Sequence, residues 1–172
     1  QWNLDWIGAP SAWDITMGSS AVTVCVIDSG FAVGHIDQPA NLYVGPDYVD
    51  GGYVQSDPDG HGTHVTGIIA ARTNNGVGIA SLAPDVKVVN VRVLDENGQG
   101  SMAVVAEAIQ DAAANGCRVI NLSLVGPNPS NTLKAALDYA IAEGALVVAA
   151  AGNCGVGGPG CPGMNPPSYP AM

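Results

Sequence analysis

Four apolar runs punctuate the chain: residues 21–27 (AVTVCVI), 86–94 (VKVVNVRVL), 119–125 (VINLSLV) and 145–151 (ALVVAAA). They are rich in β-branched residues and mostly lack polar alternation, which is the pattern of strands buried on both faces of a parallel sheet. Helical patterns lie between them. Residues 62–72 form one; 102–115 form a second, with Ser101 as N-cap and Gly116 as the stop. Residues 131–143 form a third, which puts Leu133, Ala136, Leu137, Ala140 and Ile141 on one face before Gly144 ends it. A short helix is expected over 10–17, with Pro10 in its first turn. Strand alternating with helix predicts an α/β fold: a mostly parallel sheet, helices on both faces, right-handed crossovers. Residues 152–172 read as loop.

Open α/β sheets hold ligands beyond the carboxyl ends of their strands. Asp28 follows the first run, Ser123 falls near the end of the third, and Asn153 follows the fourth. Polar groups from separate strands therefore converge on one edge.

Composition narrows the function. Of the 172 residues 47% are hydrophobic, enough for a core, and 12% are charged, against about 25% in an average globular protein. With one Phe, that core must be built from Val, Ala, Ile and Leu. The 23 Gly and 12 Pro imply many turns, because apolar runs lie between them. A net charge of −10 with only five Lys and Arg repels phosphate and argues against nucleic acid as a partner. Most of the acids read as solubility charge; some suit Ca²⁺. Cys25 and Cys117 read as buried small hydrophobes. Cys154 and Cys161 flank a Gly-rich loop, either as a short disulfide in an oxidising compartment or as two free thiols. No stretch reads as a signal peptide or a membrane span, and the start at Gln1 suggests a processed, trimmed or partial chain.

Three blocks carry chemistry. Asp28-Ser29-Gly30 ends a buried strand, where a carboxylate can accept an imidazole N–H and fix its tautomer; alone, such an Asp is more often a turn or cap residue. Residues 59–65 (DGHGTHV) place His61 where a glycine-flanked loop enters a helix. His64, one turn on, reads as a core histidine; a metal site of Asp28, His61 and His64 is the rival, although the HExxH spacing is absent. Asn153 closes the fourth run with an amide donor suited to the charge that develops on a carbonyl oxygen in acyl transfer. Alone it is an ordinary turn residue.

In this order the blocks D-S-G, H-G-T-H-V and A-A-G-N, with VINLSL at 119–124 and TNNGVGIASLAP at 73–84, resemble the subtilisin family, in its thermitase-like branch. The resemblance covers nearly the whole chain. It implies a partial subtilisin-like peptidase domain over 1–172, from a secreted serine endopeptidase that cleaves polypeptides through an acyl-enzyme. It implies Asp28 as the orienting acid, His61 as general base and acid, and Asn153 as oxyanion donor. Gly98, Gln99 and Gly100 would form one substrate-binding edge by strand addition. Ser123, Leu124, Val125 and Gly126 would form the other, with Ala150, Gly152 and Ser168 near the primary specificity pocket. Asp37 and Asn75, with the carbonyls of Val77 and Ile79, match a structural Ca²⁺ site. No catalytic cofactor is implied. Polypeptide substrates and a propeptide or inhibitor are the expected partners, with no nucleic acid or membrane, and the complete protein is expected to be a monomer.

The chain departs from the family pattern in three ways. The family's nucleophilic serine, in a G-T-S-M-A block, falls downstream of the region present, so the chain alone is expected to be an inactive fragment with a half-covered sheet. Gly100-Ser101-Met102-Ala103 mimics that block but precedes Asn153, and Ser101 is better read as a helix cap. Val125 replaces the glycine usual beside the substrate, and the family's N-terminal Ca²⁺ ligand would precede the chain. The alternatives are a catalytically dead subtilase-like binding module and, less favoured, a metal-dependent hydrolase using Asp28, His61 and His64. The sequon at Asn121 lies in a buried strand and is expected to stay unmodified.

Overall fold

The computed structural model describes residues 1–126, 128–153 and 169–171. Its pivot is β1 (Thr23–Asp28), buried at every residue from Val24 onward. The two-residue strand period divides its side chains between two cores: Val24 and Val26 on one face, Cys25 and Ile27 on the other. β1 pairs in parallel with β3 (Lys87–Arg92) on one side and β4 (Val119–Leu122) on the other. β2 (Leu42–Asp47) lies outside β3 and β5 (Leu146–Ala149) outside β4, again parallel, giving the order β2-β3-β1-β4-β5.

Helices cover both faces. α3 (His61–Ala70) lays Val65, Ile69 and Ala70 on the Val24, Val26 and Val88 face. α4 (Met102–Ala114) and α5 (Asn131–Ala142) pack on the other, around Ile27, Ile109, Ile120, Leu122 and Leu133. Each of these five is essentially inaccessible, so each contributes about 1.5–3 kcal/mol of apolar burial. Ser101 caps α4 as expected, its Oγ accepting from Val104 N–H at 3.2 Å; Ser130 caps α5 in the same way.

Four details differ from the sequence reading. The N-terminal segment forms two one-turn helices, α1 (Trp2–Trp6) and α2 (Ala9–Trp13), because Gly8, in a left-handed conformation, separates them and Pro10 restarts the helix. β2 had no apolar run to announce it: Tyr43, Val44 and Pro46 are exposed, and Pro46 is tolerated because the strand is an edge. Ile141, placed on the apolar face of α5, is exposed at the flank of that face, beside Leu137 and Val147. Cys25 and Cys117 are buried, but as a disulfide with Cα atoms 5.8 Å apart, not as separate hydrophobes. They are 92 residues apart in sequence, so no local spacing signals the pairing. Cys154 and Cys161 lie outside the described residues. No helix among those described is long and apolar enough to cross a membrane.

Candidate active site

The chain builds the β3 side of the sheet before crossing β1 to build the β4 side, so the carboxyl end of β1 is a topological switch point. Asp28, the last residue of β1, sits there fully buried. α3 starts at the same place. Its first residue, His61, turns Nδ1 onto Asp28 Oδ1 at 2.7 Å, while the side chain stays 45% exposed on its other side. The approach is close because Gly62 has no side chain: a Cβ there would lie 2.3 Å from the carbonyl oxygen of Gly30. Gly60, at φ 92°, makes the turn into the helix.

Burial pushes the Asp28 carboxyl above its usual range, and hydrogen bonds from His61 and from the Ser29 N–H only partly offset this. Its Oδ1 takes both of those bonds, and Oδ2 is buried without a partner among the described residues. The hydrogen bond to Asp28 raises the His61 imidazole; burial opposes this, and the charges of Asp28, Asp59 and Asp57 add to the rise. Asp28 thus fixes the Nδ1–H tautomer, which leaves Nε2 as the free base facing outward.

His61 opens on a cleft of about 480 Å³, lined also by Asp59, Leu94, Gly98, Gln99, Gly100, Met102, Val105, Ser123, Leu124, Val125 and Gly126. Both sequence-derived edges therefore meet at the histidine. Gly98 closes a turn, its N–H donating to Asp95 O, and Gly100 packs so tightly that a Cβ would lie 2.3 Å from Val93 O. Gly126 exchanges two backbone hydrogen bonds with Tyr169, and Val125 projects into solvent. Ala150, Gly152 and Asn153 follow β5 at the same end of the sheet but are not among the residues lining this cleft; Ser168 lies outside the described residues. Ser101 is engaged as the α4 cap.

His64 is not a core residue. It is exposed and lines a separate pocket with His35, Asp37 and Phe31, because the helix turns it away from β1. Among the described residues no three His, Cys, Asp or Glu side chains cluster as metal ligands, so Asp28, His61 and His64 do not form such a group.

Several neighbours carried no signal in the sequence. Asp59 lines the cleft and accepts the His61 N–H, and Asp57 ties the helix start to Ser29. Arg92, opposite Asp28 in register, is buried and ion-paired to Asp47 and Asp50. Loop acids look alike in a sequence, and the roles of Asp57 and Asp59 emerge only from the path of the loop.

The loop following α3 is wound around Asp37. Asn75 Nδ2 donates to Asp37 Oδ1 and the Ile79 N–H to Oδ2, both at 2.8 Å. A Cβ on Gly78 would fall within 2.0 Å of Oδ2. Gln1, the first residue, docks its amide on the backbone of Ala80.

Comparison with known proteins agrees with this geometry. The Subtilase family profile matches residues 19–172. A protein named Thermophilic serine proteinase from Bacillus sp. (strain AK1) is 48% identical over 84% of this chain and 36% of its own length. Thermitase from Thermoactinomyces vulgaris is 43% identical over 96% of the chain and 56% of its own. The solved structure of "S41 Psychrophilic Protease" superposes with a TM-score of 0.77 at 31% identity, covering 90% of this chain and 51% of that one. The chain thus spans roughly a third to just over half the length of these relatives. With the mostly parallel five-stranded α/β sheet, the Asp28–His61 pair at its switch point and these matches together, the chain belongs to the subtilase family.

Proposed function

We propose that this chain supplies the acid, the base and the oxyanion donor of a subtilisin-type serine endopeptidase. The observation that carries the reading is the 2.7 Å Asp28–His61 bond, opening directly on a cleft lined by two backbone edges. In this reading a polypeptide pairs with the 98–100 and 123–126 edges as an added strand. His61 Nε2 takes the proton of a serine hydroxyl as that oxygen attacks the scissile carbonyl carbon. The imidazolium is stabilised by Asp28 and then returns the proton to the leaving amine. Asn153 donates to the oxyanion of the tetrahedral intermediate. The nucleophile in this reading is a serine outside these 172 residues. The buried Cys25–Cys117 disulfide supports an oxidising, extracellular location.

The test is peptide hydrolysis by the product of the complete reading frame. His61→Ala should lower kcat by about 10⁶-fold, the size this loss has in subtilisin itself. A variant retaining a tenth of the activity would sink the assignment.

A structural Ca²⁺ is part of the proposal. The Asp37 carboxylate, the Asn75 amide oxygen and the carbonyls of Val77 and Ile79 are hard oxygen donors, and the glycine at 78 lets the Asp37 carboxylate lie against this loop, where a Cβ would meet its Oδ2. They would hold the ion and so pin the loop that follows α3. Millimolar Ca²⁺ should raise the unfolding midpoint of the complete protein, and Asp37→Asn should abolish the rise; an unchanged midpoint in wild type would remove the site.

A further inference from the structure

We infer that Asp57 is a positioning residue, whose carboxylate clamps the strand end carrying Asp28 to the helix start carrying His61 and so sets their separation. The inference rests on the endopeptidase reading for its role in catalysis.

Asp57 stands in the loop ahead of α3. Its Oδ1 accepts the Ser29 hydroxyl at 2.8 Å and the Gly60 N–H at 2.9 Å. Its Oδ2 accepts the Thr63 N–H at 2.8 Å and the Thr63 hydroxyl at 2.6 Å. These four donors fill the accepting capacity of one carboxylate. The circuit then closes on both catalytic elements. Ser29 Oγ accepts the Gly62 N–H at 2.9 Å, and the Ser29 N–H donates to Asp28 Oδ1 at 2.7 Å. Thr63 Oγ1 accepts the Ala32 N–H at 2.9 Å, which ties down the chain just beyond β1.

α3 needs an outside cap because its N-cap is Gly60, with no side chain to offer. Asp57 takes that role, and its charge suits the positive end of the helix dipole. Burial favours the protonated acid, but the bonds from Thr63, Gly60 and Ser29 outweigh it, and the carboxyl is held below its usual range. No bond in the circuit reaches the imidazole ring, so Asp57 acts through Asp28 and His61, not on substrate. An asparagine keeps one acceptor oxygen but turns an N–H₂ towards groups that are themselves donors, so at least one link must break.

The complete protease and its Asp57→Asn and Ser29→Ala variants test this, with rates expressed per active site titrated. Asp57→Asn should lower kcat about 10- to 100-fold with KM within about two-fold, the signature of misplaced catalytic groups. Ser29→Ala leaves the Asp57 bonds to Gly60 and Thr63 in place but removes both Ser29 links, to Asp57 and to the Gly62 N–H; it should lower kcat in the same way, by less. A second readout needs no activity: the low-field Nδ1 proton of His61 in the NMR spectrum, which reports the bond to Asp28. It should move upfield or vanish in both variants. A kcat and an Nδ1 resonance unchanged in Ser29→Ala, and in any folded Asp57→Asn, would overturn the inference even if thermal midpoints fell. Should Asp57→Asn not fold, Ser29→Ala alone decides. A wild-type protein without peptidase activity, whose Nδ1 proton still responds to Ser29→Ala, would refute the endopeptidase reading and uphold the clamp.

Discussion

His61 works among three carboxylates with different effects. Asp28 bonds it and sets its tautomer; Asp59 and Asp57 act on it through space. All three favour the imidazolium, so the free base that the proposed mechanism requires forms only above the raised value. The acid limb of the kcat/KM profile should therefore lie above the ordinary histidine range. Asp59→Asn removes one charge yet keeps an oxygen for the His61 N–H, so it should move that limb to lower pH; an upward or absent shift would contradict this assignment of charges. Folding linkage runs in opposite senses for the two shifted groups. The raised imidazole contributes stability at acid pH that is lost as pH rises through its folded value. Asp57, held low, contributes stability above the ordinary carboxylate range that is lost as pH falls through its folded value. Asp28 and His61 stood out in the sequence through the ordered blocks that resemble the subtilisin family, since alone a strand-end Asp reads as a turn or cap residue. Asp57 and Asp59 did not, because a loop acid takes its meaning from the three-dimensional path of the loop.

At the scale of elements, the contact between α3 and β1 holds the site together, and two glycines of one helix separate packing from propensity. At Gly62 an added methyl would meet Gly30 backbone at 2.3 Å. At Gly67 it would meet only Ile79 Cδ1, at 3.8 Å. Gly62→Ala should thus cost about 1–3 kcal/mol in equilibrium unfolding, while Gly67→Ala should gain up to about 1 kcal/mol from helix propensity. Equal effects would mean that the helix does not dock as closely as described. The central strands and long helices were readable because burial on both faces writes continuous apolar runs, and Ser101 writes a cap. β2 escaped because an edge strand needs only alternate contacts. His64 escaped because a histidine one turn from a buried face can rotate out to solvent.

For the whole molecule, β2 and β5 are the edge strands of the sheet among the described residues. Leu146 and Val148 of β5, with Ile141 of α5, are largely exposed, whereas β1 at the centre is sealed. The Cys25–Cys117 bond fastens that centre to the segment between α4 and β4, just ahead of the amino end of β4. Such a link was invisible in the sequence because it joins distant residues. The fold class, in contrast, was legible from the alternation of elements alone. Asp28, His61 and both cleft edges come together at one place, and under the proposed endopeptidase reading the nucleophile lies outside these residues. A fluorophosphonate probe addresses that claim directly. Applied to the folded product of the complete reading frame, followed by mapping of the labelled peptide, it should modify a single serine outside residues 1–172, and His61→Ala should abolish the labelling. Label on a serine within these residues, such as Ser101, or a folded protein that takes no label, would contradict the account.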